Sequence, residues 1–319
     1  MTVARKSDVL ISPIAEDVLQ GLSAKPKHLP PKLFYDAEGS RLFEEITRTP
    51  EYYPTRTERD ILQGCAQDIV RCAGGNLTLV ELGAGSATKT KILIRAILGR
   101  QLRLEFHPVD VSSAALKEAV ASLNGDFPNL HVSPIVADYQ RELPDLRSRP
   151  GRKLVLFIGS TIGNFEPEEA RRFLRALRNA LQQGDALLLG FDMLKDARML
   201  HAAYNDAAGV TEKFNKNVLG RINRELGGEF DVDEFNHVAF WNAKYSRIEM
   251  HLESRVDQDV WVADLGRTFQ FSFGERIHTE NSYKFVRKGI RALLREAGLK
   301  HEKTWSDPEG WFSVVLARV

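Results

Sequence analysis

Hydrophobic and polar positions change rhythm twice along the chain. Up to about Arg56 the pattern is mixed. Residues 14–22 space their apolar side chains along one face of a short helix, and residues 42–47 also read as helix. Between them, residues 25–31 form a stiff extended linker, because proline disfavours helix before and within it. Residues 51–55 read as a loop, since Pro54 keeps Tyr53 extended. From Thr57 helices and strands alternate. Residues 58–73, 90–97, 112–123 and 167–181 carry helical spacing, with Ser112 or Ser113 as an N-cap and Pro167 in a first turn. Residues 77–82, 153–158 and 186–191 are short apolar strands, and 102–111 and 131–136 also read as strands. After Asp192 the rhythm breaks. Residues 196–237 mix helical, acidic and aromatic stretches, and 238–252 and 260–273 read as antiparallel strands. A helix over 284–296, with Gly298 just past its end, and a strand over 311–317 close the chain.

Apolar strands that do not alternate, each followed by a helix, predict a parallel sheet covered on both faces. The fold class is therefore α/β, a doubly wound Rossmann-like domain whose ligands sit at the carboxyl ends of the strands. A chain of 319 residues exceeds what one compact core usually holds. The simplest organisation is a nucleotide-type domain, 57–193 plus 283–319, interrupted by a second α+β substrate lobe, 1–56 plus 194–282.

Composition narrows the function classes. Apolar residues make up 43% and charged residues 27%, ordinary globular values. A formal charge of +1, from 44 basic and 43 acidic side chains, gives no electrostatic case for nucleic acid. No apolar run reaches the roughly 20 residues a membrane helix needs, and the first eight residues lack an apolar signal core. The expectation is a soluble, cytoplasmic monomer with no membrane or nucleic-acid partner. Cys65 and Cys72 lie two helical turns apart, too far for an unstrained disulfide, and fit a reducing compartment. The eight histidines include no His-x-x-x-His pair, so no metal is expected.

The chemistry concentrates after the strands. Val80-Glu-Leu-Gly-Ala-Gly85 follows the first strand and leads into a helix, and its glycines permit a tight turn and a close backbone approach to a ligand. It lacks the Gly-Lys-Ser/Thr of a phosphate-binding loop and the third glycine of a dinucleotide fingerprint. Asp110, ending the next strand, can accept both hydroxyls of a ribose. Together these features argue for an adenosine-type ligand. Asp138 could accept the adenine exocyclic amine or serve a turn. In Gly159-Ser-Thr-Ile-Gly-Asn164 the neutral amide of Asn164 could bind an amine at the reacting centre or do turn duty. Tyr35, Tyr52, Tyr53 and Tyr204 gather phenols that can hydrogen-bond a carboxylate or amine, with aromatic packing as the alternative. Glu280, near Ser282, could receive an imidazole N–H or lie solvated. There is no nucleophile elbow and no credible Ser/His/Asp set.

The strings Leu29-Pro-Pro-Lys-Leu-Phe-Tyr-Asp-Ala-Glu-Gly-Ser40 and Pro50-Glu-Tyr-Tyr-Pro-Thr-Arg-Thr-Glu58 resemble the histidine-specific N-α-methyltransferases of ergothioneine biosynthesis. So do Gly159–Asn164, Tyr204-Asn-Asp-Ala-Ala-Gly209, Phe214-Asn-Lys-Asn-Val-Leu219, Arg247-Ile-Glu-Met250 and Thr279-Glu-Asn-Ser282, in the same order over nearly the whole chain. The resemblance implies S-adenosylmethionine (SAM) as co-substrate and L-histidine as substrate. It implies cofactor contacts at Gly83, Lys89, Asp110 and Asp138. It implies that Tyr52 and Tyr204 hold the substrate carboxylate, that Asn164 and Tyr35 attend the α-amine as catalytic residues, and that Glu280, Ser282 and Met250 recognise the imidazole. The loop reads Gly-Ala-Gly-Ser-Ala where some relatives have Gly-Ser-Gly-Thr-Ser, a mild departure. Three methyl transfers to one nitrogen, ending at a betaine, are the expected chemistry. The rivals are an N-α-methyltransferase of another amino acid such as tryptophan, a non-catalytic SAM-binding module and a nicotinamide dehydrogenase.

Overall fold

The computed structural model describes residues 12–319; the first eight residues, expected to carry no signal core, lie outside them. The chain divides into two compact units. One comprises Tyr35–Thr211, Ala239–Glu249 and Asn281–Val319, and the other the chain up to Phe34, Glu212–Val238 and Met250–Glu280. The first unit thus holds segments that the sequence reading assigned to the lobe, namely 35–56, 194–211 and 239–249.

The first unit is built on strands β1 (Leu77–Leu82), β2 (Leu104–Asp110), β3 (Leu130–Val132), β4 (Arg152–Phe157), β5 (Ala186–Asp192), β6 (Lys300–Ser306) and β7 (Phe312–Arg318), in the order β6-β7-β5-β4-β1-β2-β3. The pairs β1–β2, β1–β4, β2–β3 and β4–β5 are parallel, and β7 runs antiparallel to β5 and β6. Order reverses between β1 and β4, the point where open parallel sheets bind ligands. Helices α1 (Thr90–Leu98), α2 (Ser113–Asp126), α3 (Pro167–Ala180) and α4 (Arg287–Glu296) connect the strands.

Every residue of β1 and β5 is buried, yet the strands still alternate. Leu77, Leu79, Leu154, Leu156 and Leu188 join an apolar cluster with the helix Tyr53–Ala73, α1 and α2. Val80, Leu82, Val155, Phe157 and Leu189 join a second with α3 and α4. Successive side chains point to opposite faces, and both faces are covered. Full burial of one such leucine or valine is worth about 1.5–3 kcal/mol. In α3, Ala170, Phe173, Leu174 and Leu177 bury one stripe, while the Glu169 carboxylate accepts the Glu166 N–H at 3.0 Å and closes the first turn.

Several elements depart from the sequence expectation. β6, Lys-His-Glu-Lys-Thr-Trp-Ser, pairs with β7 at the sheet edge and carries no apolar run. The strand expected over 131–136 is broken at Pro134, which cannot donate to the ladder; Ile135–Val136 pairs separately with β2. Residues 51–55 are not all loop: the helix starts at Tyr53, and Pro54 sits in its first turn, where its missing N–H costs nothing. The linker over 25–31 contains the strand Lys27–His28, and the mixed stretch after Asp192 contains the helices Ala197–Ala202 and Val210–Leu226.

In the second unit the helix Pro13–Ser23 is capped by Ser12, whose Oγ accepts the Ala15 N–H at 3.2 Å. Lys27–His28 pairs in parallel with Ile277 and His278 of the strand Arg276–Tyr283. Strands Gln258–Val262 and Arg267–Phe271 form an antiparallel hairpin. Phe34 lies on Phe214 (4.6 Å between ring centres), and Phe230, Phe235 and Phe271 pack together. Among the described residues, no helix is long and apolar enough to cross a membrane.

Candidate active site

The loop after β1 is shaped for close approach. Gly83 and Gly85 have φ of +73° and +48°, the left-handed region that glycine enters without strain. A Cβ on Gly83 would lie 3.3 Å from the Tyr139 hydroxyl. The N–H groups of Gly83 and Ala84 donate to Val109 O at 2.8 and 3.2 Å, which pins the loop to the end of β2. There Asp110 accepts the Gly85 N–H at 3.0 Å and the Ser112 N–H at 2.9 Å. Asp138 accepts the Gln140 N–H at 3.0 Å and faces Arg141 at 3.6 Å. A pinned glycine loop with a carboxylate at the next strand's end fits the adenosine half of SAM.

Lys89 directly precedes α1, and its ammonium pairs with the fully buried carboxylate of Glu58. Both Glu58 oxygens also accept the Gly159 N–H at 2.9 Å, so Glu58 fixes the loops after β1 and β4 together. Beside them Glu81 accepts the Thr90 hydroxyl at 2.6 Å. Burial pushes the Glu81 carboxyl up to about 8, against the opposing effects of Thr90 and Lys89.

A second group of side chains gathers around Asp192, at the end of β5. The rings of Tyr35, Phe43, Tyr52 and Tyr204 follow one another at 5.9, 6.1 and 6.2 Å. The Tyr204 hydroxyl lies 2.6 Å from Ser282 Oγ. The Lys284 ammonium donates to Ser282 Oγ at 2.7 Å and to Tyr204 Oη at 3.1 Å, and it pairs with Asp192 at 2.8 Å. Tyr53 donates to Asp192 at 2.8 Å, and Lys195 pairs with the same carboxylate. Burial acts to raise the Asp192 carboxyl, but the Lys284 and Lys195 ammoniums hold it below its ordinary value. Lys195 is pushed down to about 8 by burial, against the attraction of Asp192.

Asn164 ends the short turn Thr161–Asn164 after β4, and its side-chain amide has no hydrogen-bond partner among the described residues. That turn begins at Ser160, a non-glycine residue at φ +58°. Its Oγ accepts the Asp192 N–H at 2.9 Å, a bond that holds the strained residue in place.

Met250 and Glu280 belong to the second unit. Met250 is buried, and its carbonyl lies 3.0 Å from Thr279 Oγ1. Thr279 Oγ1 also lies 2.7 Å from Asn215 Oδ1, and the Asn215 amide donates to His251 O at 3.0 Å. Asn215 thereby ties down the strand positions beside both residues.

Of the residues singled out in the sequence, Gly83 and Lys89 fall on the loop after β1 and Asp110 at the end of β2. Tyr35, Tyr52, Tyr204 and Ser282 fall in the aromatic and hydroxyl cluster. Sequence reasoning missed Glu58, Asp192, Lys195, Lys284 and Asn215. Two signals were present: Asp192 ends a wholly apolar strand, and Lys284 lies two residues after Ser282.

Residues 14–319 match the family described as histidine-specific methyltransferase, SAM-dependent. A histidine N-alpha-methyltransferase of Mycolicibacterium smegmatis is 46% identical over 98% of this chain and 96% of its own length. One of Mycobacterium tuberculosis is 43% identical over 95% of this chain and 94% of its own. Ergothioneine biosynthesis protein 1 of Schizosaccharomyces pombe is 32% identical over 94% of this chain, which spans 40% of that longer protein. With the glycine loop, Asp110 and the tyrosine cluster in place, this chain belongs to the SAM-dependent, histidine-specific methyltransferase family.

Proposed function

We propose that the protein transfers methyl groups from SAM to the α-amine of L-histidine, three times, giving Nα,Nα,Nα-trimethylhistidine (hercynine). The family match over residues 14–319 carries this reading. The reaction suits ergothioneine biosynthesis, for which the fission-yeast relative is named. Gly83, Lys89, Asp110 and Asp138 serve the cofactor in the sheet-bearing unit. Tyr52 and Tyr204 hold the carboxylate, Asn164 and Tyr35 attend the amine, and Glu280, Ser282 and Met250 read the ring. The domain 57–193 plus 283–319 is the SAM-binding part and 1–56 plus 194–282 the substrate lobe.

Bound SAM supplies a methyl group on a sulfonium, a good leaving group. The chain's own work is orientation, since holding the reacting groups in line can supply much of the barrier reduction. The amine must be neutral to attack, and a neighbouring positive charge favours its neutral form, so no strong base is needed. The Asn164 amide can accept from the amine without stabilising an ammonium as a carboxylate would. Tyr35, or water beside it, takes the proton. Gripping carboxylate and ring at opposite ends leaves the amine as the group presented to the methyl.

Mass spectrometry of a reaction with L-histidine and excess SAM tests the reading. A product carrying three added methyls is expected; accumulation of a monomethyl product after prolonged reaction would refute trimethylation.

A further inference from the structure

In the cluster around Asp192 two buried ammoniums share one carboxylate. One carboxylate, with 1% of its side chain exposed, pairs with two ammoniums, Lys284 at 0% and Lys195 at 6% exposure. A buried charge is costly unless it is matched. The phenol of Tyr53 donates to the carboxylate and brings no negative charge. The Asp307 carboxylate also favours the charged form of Lys195, and it accepts the N–H groups of Trp311 and Phe312. Asp192 and Asp307 thus face the two ammoniums, and the Lys284 ammonium also reaches the hydroxyls of Ser282 and Tyr204.

The geometry says where that charge is delivered. The three Lys284 protons are directed at Asp192, Ser282 Oγ and Tyr204 Oη. Its ammonium also lies 4.7 Å from the centre of the Tyr204 ring. A hydroxyl that accepts from an ammonium becomes a stronger donor, because chained hydrogen bonds polarise one another. The cation also attracts an anion through the phenol in a setting of low dielectric.

We propose that Lys284, anchored on Asp192, is a positioning residue that fixes and polarises the Tyr204 hydroxyl for the substrate carboxylate, with Lys195 as the second ammonium on the same anchor. The inference rests on the reading of Tyr204 as a carboxylate ligand. It gives a reason for a buried ammonium behind the Tyr204 phenol.

The test compares L-histidine with L-histidinamide, which keeps the ring and amine but not the anionic group. In the full-length protein, Lys284→Gln should raise KM for histidine by about tenfold or more, the worth of one charged hydrogen bond. KM for histidinamide and the Kd for SAM should move less than about twofold, within the spread of a neutral contact. Lys284→Arg should recover part of the histidine loss. Lys195→Met, whose ammonium contacts Asp192 and Tyr53, should raise KM for histidine selectively by a smaller factor. Equal losses on acid and amide would overturn the proposal, as would an unchanged KM for histidine in Lys284→Gln. If Lys284→Gln does not fold, the other two variants decide: an acid-to-amide ratio equal to wild type in both overturns it. If the wild-type enzyme prefers another amino acid, the histidine reading fails, and the same comparison on that acid and its amide still tests Lys284.

Discussion

Replacing Glu58 with alanine removes a carboxylate that joins the loops after β1 and β4. In the structure it pairs with Lys89 and accepts the Gly159 N–H through both oxygens, from a side chain with no exposure. The variant leaves an ammonium and a backbone donor without their acceptor. Removing one partner of a buried pair costs about 3–5 kcal/mol. Lys89 keeps 19% of its side chain exposed, so part of its charge can reach water, and the lower end, about 3 kcal/mol, applies. At about 2–4 °C per kcal/mol for a unit of this size, the melting midpoint should fall by about 6–12 °C. Glu58→Gln, which keeps an acceptor for Gly159 and loses the charge, should fall in between. Scanning calorimetry of the three proteins without cofactor measures this. A drop below about 2 °C for the alanine variant would refute the reasoning, since it would correspond to less than about 1 kcal/mol.

Two further outcomes follow from the same geometry. Tyr52→Phe removes one hydroxyl assigned to the substrate carboxylate and should raise KM for histidine about 10- to 100-fold, the worth of a charged hydrogen bond, with SAM affinity unchanged; Tyr204→Phe should cost more, because Lys284 also loses an acceptor. Loss of SAM binding in Tyr52→Phe would contradict its assignment. Glu81 titrates at about 8 in the fold against an ordinary 4.5, so its contribution to stability is fully present below about 4.5 and is lost as pH rises through about 8. Glu81→Gln lacks that dependence, and its stability relative to wild type should grow between those values by up to about 1.4 kcal/mol per pH unit. A gap constant with pH in denaturant melts would show that Glu81 does not titrate there.

The sheet was legible because β1, β4 and β5 are predominantly apolar, do not alternate and each lead towards a helix, a pattern that buried parallel strands impose. β6 was not legible, because an edge strand paired with β7 needs no apolar sequence. Gly83 and Asp110 could be read from their places after strands. Glu58 and Lys195 could not, because a charged residue in a sequence gives no sign of burial, and for Asp192 and Lys284 position alone was a faint signal. Asp192 looks like any strand-end aspartate until Lys195 and Lys284 close on it. Asn215 lies in a helix that the mixed stretch after Asp192 concealed. The substrate came from the family match, not from the geometry of the sheet.

The central claim is that the α-amine of histidine accepts the methyl group. Methyl-labelled SAM incubated with each of the common amino acids in turn tests it most directly. Label should appear on histidine at a rate well above every other amino acid, on the α-nitrogen and not on the ring. Equal labelling of tryptophan, or label on an imidazole nitrogen, would contradict the account.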